Sequence, residues 1–286
     1  MTETSETTEP LGAQISKMLA ARGVEVVFGI PGVHNVELYR GLEESGLRHV
    51  LARHEQGAAF MADGYARATG QPGVCYLITG PGFANAMTPL GQAYSDSVPV
   101  LALASCLDES AHLKGQLHQM RDQAGAGRTV CDWSETAQTA EAAYGLIDRA
   151  LAEFQTARPR PKALHVPIEL LGQRVGAAPP LAAAVQRLSG AIEGVEEVVD
   201  YLRGARRPLF IFGGGTRSLL VPGLMERFGA ASFVTYAGRG LVPMSNPLCF
   251  GAYLGRTGSR EVIASADLVV AVGTELSETD LWRVPL

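Results

Sequence analysis

One carboxylate, Glu55, stands where a general acid or base could work. It lies in the run Arg53-His54-Glu55-Gln56-Gly57-Ala58-Ala59, after a short apolar strand (49–52) and at the start of a helical stretch ending at Thr69-Gly70. An acid in the first turn of a helix complements the helix dipole, which is sufficient reason for a Glu there. The carboxyl end of a strand is also the edge at which open α/β sheets gather their chemistry. On Glu55 alone the two readings compete, and its neighbours favour the second.

Upstream, the strand at 24–30 breaks at Pro31-Gly32 before a helix. Downstream, the apolar strand Val74-Cys75-Tyr76-Leu77-Ile78 runs into Thr79-Gly80-Pro81-Gly82-Phe83-Ala84-Asn85, and a helix follows from Ala86 to Asp96. A single Gly/Pro loop marks only a turn. Three such strand ends in succession, one carrying an acid, imply a shared ligand site.

The elements that must position these loops read as an α/β pattern. Residues 11–22 form an amphipathic helix with Leu11, Ile15, Met18 and Leu19 on one face. Strands near 24–30, 48–52, 74–79, 98–104 and 163–168 alternate with helical stretches, the last of them Ala140 to Gln155. That alternation predicts a parallel sheet covered on both faces. The chain is expected to comprise a disordered leader (1–10), a first α/β domain (11–175), an Ala/Pro-rich linker (176–190) and a second α/β unit (191–286). The second unit reads as a helix near 193–204, a strand at 209–212, a helix near 218–228 and strands at 233–236 and 267–272. It ends just after its last strand, so it is expected to be incomplete.

Composition narrows the function classes. Apolar residues at 47% and charged residues at 19% fit a globular α/β chain of about two domains. The net charge of −5, with basic residues scattered, gives no nucleic-acid footprint. Cys75, Cys106, Cys131 and Cys249 have no metal-binding spacing and read as thiols of a reducing compartment. The acidic, Thr-rich start lacks the basic and apolar regions of a signal peptide, and no apolar run is long enough to span a membrane. A cytoplasmic protein is expected. His34, His49, His112 and His165 show no paired spacing and read as turn, strand or surface residues, with no protein metal site.

Gly29-Ile30-Pro31-Gly32, Arg53 to Ala59, Gly64-Tyr65-Ala66-Arg67-Ala68-Thr69-Gly70, Thr79-Gly80-Pro81-Gly82 and Tyr94 to Val100 together resemble the pyrimidine-binding domain of thiamine diphosphate enzymes, in the acetolactate synthase branch. The resemblance covers most of residues 11–170. Leu117 to Gln123, Arg158-Pro159-Arg160-Pro161 and Val272 to Arg283 further resemble the 5-guanidino-2-oxopentanoate decarboxylases.

The resemblance implies a role for each of several residues. Glu55 would hold N1′ of the aminopyrimidine, so that the neighbouring 4′-nitrogen can take the C2 proton while the cofactor performs the carbon chemistry. Pro31, Gly32, Val33, Pro81 and Asn85 would line the pyrimidine pocket. Val33 departs from the Gly often found there in acetolactate synthases. His118 and Gln119 fall where related enzymes reach toward a 2-oxoacid substrate. A solvated loop side chain is the competing reading for both.

The family holds the diphosphate through Mg²⁺ on a Gly-Asp-Gly motif followed by Asn in a C-terminal domain. That motif does not occur here; Ala62-Asp63-Gly64-Tyr65 lacks the first Gly. The sequence therefore reads as the N-terminal part of a decarboxylase, inactive alone and completed by a homo-oligomer or a separately encoded half. The alternatives are an acetolactate synthase-type carboligase and a non-catalytic assembly subunit. Gly213-Gly214-Gly215-Thr216-Arg217-Ser218 matches only part of a dinucleotide fingerprint, which disfavours FAD without removing it.

Overall fold

A computed structural model describes residues 8–111, 114–181, 193–216 and 221–282. Most of the expected leader (1–7), most of the expected linker (182–190), His112, Ser218 and Arg283 lie outside the described residues. The chain divides into two compact units, Met1–Leu188 and Ser189–Leu286.

In the first unit the strands are β1 (Glu9–Pro10), β2 (Val26–Gly29), β3 (Arg48–Leu51), β4 (Gly73–Leu77), β5 (Val100–Cys106), β6 (Trp133–Thr136), β7 (Lys162–Pro167) and β8 (Arg174–Val175). Six of them make one sheet in the order β3-β2-β4-β5-β7-β6, and every pairing in it is parallel. Parallel neighbours require helical crossovers, and these cover both faces. Side-chain alternation divides the core accordingly. Val27, Val74, Tyr76, Leu101, Leu103, Leu164 and Val166 face the helices Leu11–Ala21 and Ala140–Thr156. Val26, Phe28, Cys75, Leu77, Ala102 and Ala104 face Glu55–Thr69 and Pro81–Asp96. On that second face the helix Glu55–Thr69 presents Ala58, Ala59, Ala62 and Ala66, so small side chains bring its backbone close to the sheet.

Two local features differ from the sequence reading. Glu9 and Pro10, expected to close a disordered leader, pair antiparallel with Val175 and Arg174. The helix after β4 begins at Pro81 rather than Ala86. Proline suits a first helical position, where its missing N–H costs no intrahelical bond.

The second unit carries β9 (Pro208–Phe212), β10 (Ala231–Val234) and β11 (Leu268–Val272), parallel in the order β10-β9-β11. Among its helices are Val195–Gly204 and Val221–Phe228. Among the described residues no helix is long and apolar enough to cross a membrane.

Candidate active site

The chain leaves β3 at Leu51 and re-enters helix at Glu55. His54 starts that helix, its Nδ1 accepting from the Gln56 N–H at 3.1 Å. Glu55 is half-buried in the first turn. Asn85, one turn into the helix that follows β4, donates from Nδ2 to Glu55 Oε2 at 3.0 Å. The other carboxylate oxygen, Oε1, is 3.4 Å from where a Cβ on Gly82 would sit.

Gly82 has no room for that atom, because Ile78 Cγ2 would lie 2.4 Å from it. The Ile78 Cδ1 methyl in turn reaches to 2.5 Å from the point a Cβ on Gly32 would take. The loops after β2, β3 and β4, three adjacent strands, therefore meet around Ile78, bringing together Gly32, Glu55, Gly82 and Asn85. Pro31, Val33 and Pro81 stand exposed at the same sheet edge, Val33 at 72%.

The loops after β2 and β4 are each held by a buried amide. Asn35, fully buried, accepts from the Gly32 N–H at 2.8 Å through Oδ1 and donates to the Ile30 carbonyl at 3.2 Å. Gly80 adopts φ 65° and ψ −107°, a region open essentially to glycine. Its N–H donates to Gln123 Oε1 at 2.8 Å. A Cβ there would also sit 2.0 Å from the His118 carbonyl oxygen, so the 118 segment lies directly against the turn.

His118 itself has φ 64°, and its ring meets the His34 ring edge-on with centroids 5.3 Å apart. Nδ1 of both rings is buried without a hydrogen-bond partner. Burial first, and the neighbouring His118 second, push the His34 imidazole below its ordinary pKa. Gln119 turns back on its own loop, accepting from the Gly115 N–H at 2.9 Å.

Three of these residues escaped the sequence reading. His34, read as a turn or surface residue, packs on His118. His165, read the same way, is fully buried beneath the Gly80 turn, between Gln123 and Ser134. Gln123 closes the resembling stretch Leu117 to Gln123 but carries no signal of its own role. No spacing could have revealed them, since each contact joins segments far apart in sequence.

The cluster fits a flat nitrogen heterocycle. One carboxylate oxygen, Glu55 Oε1, is oriented by the Asn85 donor on its partner oxygen, and the side chain of Ile78 and the bare backbone of Gly82 offer it apolar neighbours. Among the described residues no group of three or more His, Cys, Asp or Glu could hold a metal ion. In the second unit the glycine turn after β9 engages its amides internally. Gly213 donates to the Val272 carbonyl at 2.8 Å and Gly215 to the Gly273 carbonyl at 2.9 Å, so neither is open to a phosphate.

Residues 10–126 match the N-terminal TPP binding domain of thiamine pyrophosphate enzymes, and residues 195–285 match their central domain. A probable 2-ketoarginine decarboxylase of Pseudomonas aeruginosa is 47% identical over 281 residues, covering 95% of this chain and 50% of that protein. An acetolactate synthase of Arthrospira platensis is 31% identical over 279 residues, 91% of this chain and 48% of its own. The large subunit of acetolactate synthase isozyme 2 of Escherichia coli is 31% identical over 275 residues, covering 93% and 50%. The chain thus spans about half the length of these relatives. With both domains matched in order along most of its length, the chain belongs to the thiamine pyrophosphate enzymes.

Proposed function

We propose that this chain supplies the pyrimidine-binding and central domains of a thiamine diphosphate-dependent 2-oxoacid decarboxylase acting on 5-guanidino-2-oxopentanoate, which is 2-ketoarginine. The observation that carries the cofactor half of this reading is Glu55, anchored by Asn85 on one oxygen and facing Gly82 with the other. When bound, thiamine diphosphate supplies the reactive carbon and the electron sink. The chain's part is to hold a proton between Glu55 and N1′ and to orient the ring against Ile78, Gly82 and Pro81. Pro31, Gly32 and Val33 form the opposite rim. Asn85 fixes the carboxylate so that no rotamer search precedes the proton shift.

His118 and His34 are the polar groups we assign to the substrate side, since both offer a buried ring nitrogen with no internal partner. Gln119 keeps only its amide nitrogen for that task, its oxygen being bonded within its own loop. Mg²⁺ and the diphosphate fall to residues outside those described, in this reading a Gly-Asp-Gly…Asn segment of a second subunit or second half. Residues 1–286 alone are then expected neither to bind thiamine diphosphate tightly nor to turn over substrate. A cytoplasmic oligomer, at least a dimer, goes with the same reading.

The decarboxylase assignment draws on the 47% identity to the 2-ketoarginine enzyme against 31% to the synthases. The deciding experiment is product analysis of the protein at its native length, supplied with 5-guanidino-2-oxopentanoate or with pyruvate. Release of CO₂ and 4-guanidinobutanal from the first supports the decarboxylase. Acetolactate from pyruvate, with the guanidino acid untouched, overturns it in favour of the carboligase. No turnover of either, with no cofactor bound, returns the non-catalytic alternative.

A further inference from the structure

Beneath the Gly80 turn lies a buried polar cluster with an unusually determinate hydrogen-bond pattern. Gln123 comes from the short helix Gln123–Gly127, His165 from the middle of β7, Ser134 from β6 and Ser105 from β5. Ser105, Ser134 and His165 are at most 1% exposed, and Gln123 is 9% exposed. A backbone N–H can only donate and a backbone carbonyl can only accept. The Gly80 N–H at 2.8 Å therefore requires the oxygen of the Gln123 amide, and the Ser105 carbonyl at 2.9 Å requires its nitrogen. Both ends agree, so the amide has one orientation.

That orientation fixes the histidine. Gln123 Nε2 also lies 2.8 Å from His165 Nδ1, and since the amide nitrogen donates, Nδ1 must accept. The ring proton is then on Nε2, which lies 2.8 Å from Ser134 Oγ and donates to it. Phe83, from the first turn of the helix that Gly80 caps, packs edge-on against the same imidazole at 4.7 Å. Thr79, the residue before Gly80, donates to Ser105 Oγ at 2.9 Å. One buried histidine thus touches the helix through Phe83 and reaches the turn through Gln123.

We propose that Gln123 and His165 are a positioning pair, in which a neutral imidazole carrying its proton on Nε2 locks the Gln123 amide, and the amide holds the Gly80 turn so that Gly82 and Asn85 meet Glu55 correctly. Neither residue touches the site itself. An apolar pair of similar volume would fill the same space but leave the Gly80 N–H and the Ser105 carbonyl without partners in a buried region. The turn would then relax toward solvent, and Glu55 Oε1 would lose its fixed distance from Gly82. The structural half stands on these contacts alone, while its consequence for catalysis rests on the reading of Glu55 above.

The test uses the protein at its native length, labelled with ¹⁵N-histidine, together with His165→Leu and His165→Asn. Asparagine places an acceptor oxygen where the imidazole has Nδ1, so it restores the bond from Gln123; leucine does not. Nitrogen shifts at neutral pH are expected to report His165 as the neutral Nε2–H tautomer. Amide exchange at Gly80, Gly82 and Phe83 is expected to accelerate about tenfold in the leucine variant, the equivalent of one hydrogen bond, and to stay near wild type in the asparagine variant. Proton exchange at C2 of bound cofactor should follow the same order.

An Nδ1–H tautomer or an imidazolium at neutral pH overturns the proposal, and that measurement needs no variant to fold. Equal turn exchange in the leucine and asparagine variants overturns it too, since His165 would then be acting only as volume. If the turn loosens in the leucine variant while C2 exchange is unchanged, the positioning role fails. If Glu55→Gln also leaves C2 exchange unchanged, the fault lies instead with the reading of Glu55.

Discussion

The carboxyl edge of the first sheet has two sides built on opposite principles. Around Glu55 the site is open: one carboxylate oxygen is tied to Asn85, the other faces a glycine surface, and the neighbouring Pro31, Val33 and Pro81 are exposed. Around His165 nothing is open. Both ring nitrogens and all three polar contacts of Gln123 are matched at 2.8–2.9 Å with almost no exposure. The first arrangement leaves a charge available to a ligand, and the second removes every alternative geometry from the turn beside it. A site that must present one oxygen accurately needs both, since a flexible support would blur what the exposed group offers.

The largest effect in this comparison is expected at its open side. Glu55→Gln in the native-length protein keeps an oxygen for Asn85 but removes the ionisable group, so C2 proton exchange on bound thiamine diphosphate should fall by a factor on the order of 100 or more. Circular dichroism and the unfolding midpoint should change little, because Glu55 is half-buried and its bond to Asn85 survives. Near-wild-type exchange would remove Glu55 from the mechanism and leave the open side without a function.

Sequence and structure agree best where one stretch of chain contains its own explanation. The strands at 26–29, 73–77, 100–106 and 162–167 are apolar runs between helices, and the Gly/Pro loops ending two of them place Gly82 and Asn85 beside Glu55 and Gly32 against Ile78. β6 was missed because Trp133-Ser134-Glu135-Thr136 is a four-residue edge strand, buried at its first two positions and only half-buried at the others. Its apolar content is one side chain, too little for a periodic signal. The buried side of the site was illegible for a different reason. Gln123 and His165 are 42 residues apart and acquire meaning only when β7 passes under the turn after β4. His34 and His118 meet in the same way, across two loops.

The next effect is on stability and belongs to the closed side. Burial holds the His165 imidazole at a pKa of about 4, against 6.5 for a free histidine; Asp122 opposes the shift and Arg128 adds to it. The folded state therefore refuses a proton that the unfolded state accepts between those values. The associated stability is complete above pH 6.5 and is lost as pH falls toward 4, amounting to roughly 3 kcal/mol over that window. Urea unfolding of wild type and His165→Asn at pH 7 and pH 4.5 isolates it, since other titrating groups cancel in the difference. The wild type should lose more stability than the variant, and parallel losses would place the His165 pKa near its ordinary value.

A smaller effect probes the boundary between the two sides. Gly82→Ala inserts a methyl where Ile78 Cγ2 would be 2.4 Å away and Glu55 Oε1 3.4 Å away. Ile78 must turn or the helix must shift, at a cost of about 1–3 kcal/mol. Thiamine diphosphate affinity, measured by calorimetry with Mg²⁺ present, should weaken more than the unfolding midpoint drops, because the methyl occupies ligand space. Ile78→Ala removes the Cγ2 methyl that makes the contact and should recover part of the affinity in the double variant. An unchanged affinity in Gly82→Ala would mean that this surface does not face the ligand.

The smallest effect separates the members of the closed side from one another. Ser134→Ala removes the acceptor of the His165 Nε2–H but leaves Gln123 in place. One buried donor loses its partner, so stability should drop by about 1 kcal/mol. The tautomer should nonetheless persist, because the direction of the chain of bonds is set at its far end by the Gly80 N–H and the Ser105 carbonyl, neither of which can reverse. Amide exchange at Gly80 should then stay close to wild type despite the stability loss. ¹⁵N shifts of His165 in this variant decide the matter: a switch to Nδ1–H would mean that Ser134, not the Gln123 amide, orients the ring, and that the turn is held from β6 rather than from the backbone it supports.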